Sequence, residues 1–129
     1  SRSLPPPPSR DTHTMSKPEL EFQLPIAEWL PVSTEVQGVW AQVLAEDRET
    51  GDYTRLLRFD PDVDTSPTGT RIHDYWEEVY ILEGDLTDLR LGATFTRGMY
   101  ACRPPGMPHG PWQTEAGALM LEFRSAARG

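Results

Sequence analysis

From residue 39 onward the apolar residues recur with a period of two in short runs, and turn-forming residues break every run before it reaches helical length. The runs are VWAQVLA (39–45), YTRLLRF (53–59), EVYILEG (78–84), DLRLG (88–92), MYACR (99–103) and ALMLEF (118–123). Their β-branched, aromatic and leucine content suits a pleated, half-buried surface. Between them stand EDRETGD, DPDVDTSPTG, EGD, LGAT, TRG, RPPGMP and TEAG. These read as turns because Gly supplies positive φ, Pro fixes φ and Asp bonds to nearby backbone. Strands this short, interrupted this often, predict an all-β sandwich or barrel. IAEWL, near Ile26, is the one stretch that predicts a helical turn, and there is no internal repeat.

The chain has 129 residues, enough for one domain around a single core. Residues 1–18 read as a disordered proline-rich arm, because LPPPPS with Ser, Thr and Arg buries too little apolar surface to fold. His13 within it reads as a solvated polar residue, and residues 19–129 form the domain. The formal charge is −8, with +2 in the arm and −10 in the domain. A body this acidic repels phosphate backbones and anionic lipid, so nucleic acid and membrane are not expected partners. No apolar run approaches the ~20 residues of a membrane-spanning helix, and the N-terminal stretch lacks the apolar core of a secretory signal. The single cysteine, Cys102, cannot form an internal disulfide and fits a reducing cytoplasm, the expected location. It reads as a small buried strand residue.

Two segments place histidine where a strand pattern calls for apolar residues: RIHDYWEEVYILEGD (71–85) and GMYACRPPGMPHGPWQ (98–113). Alternate strand residues share a face. With one tight turn near Tyr75 and Trp76, Arg71, His73, Glu77, Val79 and Ile81 face one way and Glu78, Tyr80 and Leu82 the other. Val79 and Ile81 mark the first face as interior, so Glu77 needs a cation, a donor or a metal there. The rigid Pro104-Pro105-Gly106 turn, with Pro108, aims His109 with little freedom. His73, Glu77 and His109 together make a two-histidine, one-carboxylate set suited to a divalent ion. The alternative from the residues alone is a pair of satisfied core histidines with Glu77 salt-bridged to Arg71.

The two segments resemble the two sequence blocks of the cupin superfamily, G(X)5HXH(X)3,4E(X)6G and G(X)5PXG(X)2H(X)3N. Gly98, Pro104, Gly106 and His109 match the second block, with Gln113 where the family has Asn. Counting back from Gly84, Glu77 and His73 match the glutamate and second histidine of the first block, while Arg71 replaces its first histidine and Thr65 its leading glycine. A competing register takes His73 as the first histidine, Tyr75 as the second position and Glu78 as the carboxylate, but gives the wrong spacing to Gly84 and the wrong face. The resemblance covers roughly residues 37 to 124 and implies a single RmlC-like cupin β-barrel, a jelly roll. It implies one divalent metal ion on His73, Glu77 and His109, Fe2+ first, with Zn2+, Mn2+, Ni2+ and Cu2+ as alternatives.

Within that superfamily the chain is similar to small bacterial cupins related to acetylacetone dioxygenase and to the metal-binding domain of ChrR-type anti-sigma factors. The first similarity implies a non-haem iron(II) dioxygenase acting on a small enolisable or dicarbonyl compound; the second implies a metal sensor. A redox-neutral isomerase, cyclase or lyase is the remaining class. Arg71 and Tyr100 are assigned to the chemistry, and Arg55, Tyr75, Trp76, Met107 and Trp112 to the substrate pocket. A homodimer is expected, as is common among cupin barrels, with Tyr80 and Leu82 offered on an outer face.

Overall fold

In a computed structural model, residues 16–127 are described. Most of the proline-rich arm, His13 included, falls outside them. The strands in chain order are β1 (Leu30–Pro31), β2 (Val39–Glu46), β3 (Tyr53–Phe59), β4 (Tyr75–Asp88), β5 (Ala93–Thr96), β6 (Tyr100–Arg103), β7 (Trp112–Gln113) and β8 (Ala118–Ala126), with a 3-10 turn at Ser66–Thr68. Every pairing is antiparallel; the order is β1-β2-β3-β8-β4-β5, and β6 and β7 also pair with β4. Among the described residues no helix is long and apolar enough to cross a membrane.

The long strand β4 organises the molecule. Its first half lies between β8 and β6, and its second half pairs with β5 and β7. Between the halves the register to β8 shifts at Ile81/Glu83, and Gly84 takes φ 87°. A bulge of this kind bends its strand and exchanges its faces. Before it the buried residues are Glu77, Val79 and Ile81; after it they are Leu86 and Asp88. EGD therefore lies inside a strand rather than forming the expected turn, because the bulge absorbs the glycine without reversing the chain. The core that results draws on both halves, joining Val79 and Ile81 to Leu86, Val39, Leu57, Phe59 and Met120.

Three other local expectations are corrected. DLRLG is a turn, not a strand, because Asp88 Oδ1 accepts from the amides of Arg90 and Leu91 and its carbonyl accepts from Gly92. LGAT accordingly ends that turn and begins β5. IAEWL forms no helical turn: the Gln42 side chain holds the Ala27 carbonyl at 2.9 Å and the Arg58 guanidinium sits over the Trp29 ring at 4.8 Å. Cys102 is exposed rather than buried, since in β6 it pairs with outward-facing Glu78.

Candidate metal centre

Three segments converge on the site, and backbone hydrogen bonds fix two of them to each other. His109 follows a turn whose Pro105 and Gly106 occupy the central positions, with Gly106 at φ 86° and the Met107 amide donating to the Pro104 carbonyl at 3.1 Å. That is the residue pattern of a type II turn. The Gly106 amide donates to the His73 carbonyl at 2.8 Å, and Arg71 and His109 exchange a pair of backbone bonds at 2.7 and 2.9 Å. The two imidazoles are thus positioned by one shared clamp, while Glu77 arrives from β4 on the rigid sheet. His73 stacks on Tyr75, with centroids 4.5 Å apart, and lies 4.7 Å from the His109 ring.

The ligand atoms face one another. Glu77 Oε2 lies 3.4 Å from His73 Nε2 and 3.8 Å from His109 Nε2, and one donor atom from each of the three residues falls within 4.8 Å of the others. The other carboxylate oxygen, Oε1, accepts from Arg103 Nη1 at 2.7 Å. Arg103, not Arg71, is therefore the cation that pairs with this buried glutamate. Burial holds the His109 pKa down to about 4, helped by the positive charge of Arg103. Its Nδ1 is 3.3 Å from the Met107 carbonyl, and a proton there leaves the Nε2 lone pair toward Glu77. With His109 neutral, the atoms that it and Glu77 turn toward each other are both acceptors, which a cation between them satisfies. The three residues fit a divalent ion.

The depressed pKa makes one expectation measurable. Between the ~6.5 of an unfolded imidazole and about 4, the unfolded chain carries a proton on His109 that the folded, metal-free protein does not. This residue therefore costs stability progressively as pH falls through that window. Glu122, whose pKa is raised, has the opposite sign: the folded state takes up its proton first. Global unfolding mixes the two, so the readout is an NMR titration of the His109 ring in metal-free protein, with an expected midpoint near 4. A midpoint near 6.5 would mean that the ring is solvated and the site open.

The centre borders a cavity of about 210 Å³ lined also by Tyr53, Arg55, Arg71, Tyr75, Trp112 and Glu122. Arg71 is exposed, at the edge of this space. Tyr75 stacks on His73, and its other aromatic contact is the Arg124 guanidinium at 3.9 Å. Arg55 is tied to buried Glu122, on the same Oε1 that accepts from the Tyr53 hydroxyl at 3.2 Å. Burial raises the pKa of Glu122, opposed by Arg55, and burial followed by Glu122 raises that of Tyr53. Trp112 is held by Thr65, which gives its amide to the Trp112 carbonyl and accepts the Trp112 amide on Oγ1, both at 2.8 Å. The threonine standing where the superfamily has glycine thus anchors a cavity wall.

Other expected pocket residues lie elsewhere. Tyr100 is exposed and hydrogen-bonds Glu78, Trp76 is exposed, and Met107 borders a second cavity. Sequence reasoning passed over Arg103 and Glu122. Parity in ALMLEF carried a usable signal, since Glu122 shares a face with Ala118 and Met120, both buried. Arg103 carried none before the Glu77–Arg103 register was known.

A family described as the ChrR Cupin-like domain matches residues 19–127. Comparison with curated proteins returned no match. Among solved structures, an RmlC-like cupin from Shewanella frigidimarina superposes with a TM-score of 0.66 at 20% identity, covering 87% of this chain and 95% of that one. An acetylacetone dioxygenase from Acinetobacter johnsonii gives 0.63 at 17% identity, covering 81% and 74%. The polyketide cyclase RemF from Streptomyces resistomycificus gives 0.60 at 15% identity, covering 82% and 80%. At these identities the likeness shows a shared fold, the RmlC-like β-barrel.

Proposed function

The chain belongs to the ChrR cupin-like domain family, and from that premise we propose that it is a metal-dependent dioxygenase of small enolisable or dicarbonyl compounds, with iron(II) as its ion. The observation that carries this reading is the trio His73, Glu77 and His109 at the edge of a partly aromatic cavity. His73, Glu77 and His109 would hold the ion as an open two-histidine, one-carboxylate set, which suits reaction chemistry rather than a closed four-ligand structural site. When bound, the ion supplies Lewis acidity and one-electron redox chemistry.

The protein residues do the rest. Arg103 fixes the carboxylate of Glu77, the Met107 carbonyl orients His109, and Tyr53, Tyr75 and Trp112 line the cavity. Arg71, exposed at its edge, attracts an anionic or enolate substrate. Arg71→Ala should raise KM several-fold with metal content unchanged, and Arg71→His should add an imidazole near the ion and tighten metal binding. Metal affinity within a factor of about two in both variants, roughly 0.4 kcal/mol, together with an unchanged KM, would place Arg71 outside the chemistry. Elemental analysis and oxygen uptake with a β-diketone test the main reading: iron with stoichiometric oxygen consumption supports it.

A redox-neutral isomerase, cyclase or lyase is favoured by a different observation. Tyr53, Arg55 and buried Glu122 form a proton-bearing network on the same cavity, which suits proton transfer without an oxidant. Turnover under strict anaerobiosis would select it. Ligand binding without turnover in either atmosphere would instead identify a sensing module. The outer sheet face carries a cross-strand row of Leu56, Leu121, Tyr80 and Tyr100, and we assign it to a homodimer. Sedimentation as a monomer at micromolar concentration would count against that pairing.

A further inference from the structure

Next to the metal centre is a second cavity, of about 130 Å³, that the function proposed above does not use. Its body is apolar, built from Ile81, Leu86, Phe95, Met99 and Ala101. The volume is close to that of an apolar cavity of ~150 Å³ that accepts benzene. Exposed Leu91, Met99 and Met107 surround it as an apolar rim. His109 and Trp112 line both cavities, whereas Glu77 lines only the first and Arg103 only the second. The Glu77–Arg103 ion pair therefore crosses the partition between them.

The charges facing this second space decide what it takes. They are Arg103, Arg90, Asp88 and His109. Asp88 is already satisfied, accepting from the Arg90 and Leu91 amides on Oδ1 and from the Gly110 amide on Oδ2. His109 belongs to the metal centre. The bonds to Asp88 leave its charge in place and Glu77 offsets that of Arg103, so what Arg103 and Arg90 bring to the apolar chamber is their N–H donors. Arg103 is only 11% exposed, so its donors act in a poorly screened environment. A guanidinium carries five N–H donors in a rigid fork, so Nη1 on Glu77 leaves capacity for a second carboxylate. Arg90, held loosely by the Pro108 carbonyl at 3.3 Å, stands on the exposed side.

We propose that this lateral cavity is a binding site for a small carboxylate whose apolar body is about the size of one six-membered ring, with its head on Arg103 and Arg90 and its body against Phe95, Ile81 and Leu86. Benzoate is the probe, titrated by calorimetry into the protein as purified, with benzyl alcohol as its uncharged counterpart. Benzoate should bind one to one, and benzyl alcohol at least about tenfold more weakly, because it lacks the charge-assisted bonds. Ala101→Leu, which fills the chamber, and Arg90→Gln should each weaken benzoate by about tenfold while metal content stays unchanged. Phe95→Trp fills the same space should Ala101→Leu not fold. Three results would overturn the assignment: no saturable binding below about 10 mM, equal binding of the alcohol, or wild-type affinity in the filled variants, which would put benzoate in the first cavity. Failure of the metal reading would show separately, as protein that carries no metal yet gives the same titrations.

Discussion

Glu77→Gln is expected to lower affinity for a divalent ion by about 100-fold or more, roughly 2.7 kcal/mol, while Glu78→Gln stays within a factor of about two of the parent. The two residues are adjacent and chemically alike, but the pleat sends them to opposite faces. Glu77 is buried with two imidazole nitrogens 3.4 and 3.8 Å from one of its oxygens. Glu78 lies on the outer side, where its partner is Tyr100. Glutamine keeps an acceptor for Arg103, so the change removes the ligand charge without leaving a buried guanidinium alone, which truncation to alanine would do at a cost of several kcal/mol. Loss of an outer-shell partner alone brings about 10- to 100-fold, and a ligand should exceed that. Competition with a chelator measures the affinities, and circular dichroism checks the fold. Equal retention of metal in the two variants would reject the assignment of Glu77.

The contrast between these two glutamates also shows what the sequence could and could not disclose. Parity within YWEEVYIL needs no knowledge of the rest of the chain, since Val79 and Ile81 mark the interior and carry Glu77 with them. The turn before His109 is equally local, because Pro105 and Gly106 impose it whatever surrounds them. Contacts that depend on register across distant strands behave differently. Arg103 reaches Glu77 only because β6 pairs with β4 in one alignment, and Glu122 meets Tyr53 and Arg55 only because β8 lies against β3. EGD and DLRLG misled for a related reason. A glycine permits either a reversal or a bulge, and an aspartate either ends a strand or caps a turn; the choice is made by the strand packed alongside.

Gly84→Ala should be the most destabilising single-methyl change in the barrel, lowering the unfolding free energy by about 3 kcal/mol or more. Two costs coincide there. At φ 87° a side chain is strained, at about 1–2 kcal/mol. An added Cβ would also lie 1.9 Å from the Gly117 carbonyl oxygen and 2.8 Å from Ala118 Cα, backbone atoms of β8 and the turn before it. Backbone cannot rotate aside as a flexible side chain can, so the bulge that turns β4 would have to open. Gly98 isolates the first cost: φ is 88°, but a Cβ there meets nothing within 4 Å. Gly98→Ala should therefore lose only about 1–2 kcal/mol, and the gap between the two variants measures the clash. For a domain of this size 3 kcal/mol corresponds to a fall in Tm of roughly 10–20 °C. Because Glu77 and Leu86 reach the interior from opposite sides of the bulge, Gly84→Ala should also loosen the metal centre at temperatures where the fold persists. Equal Tm values for the two alanine variants would show that β4 and β8 do not approach this closely, and the account of how the strand changes face would fail with it.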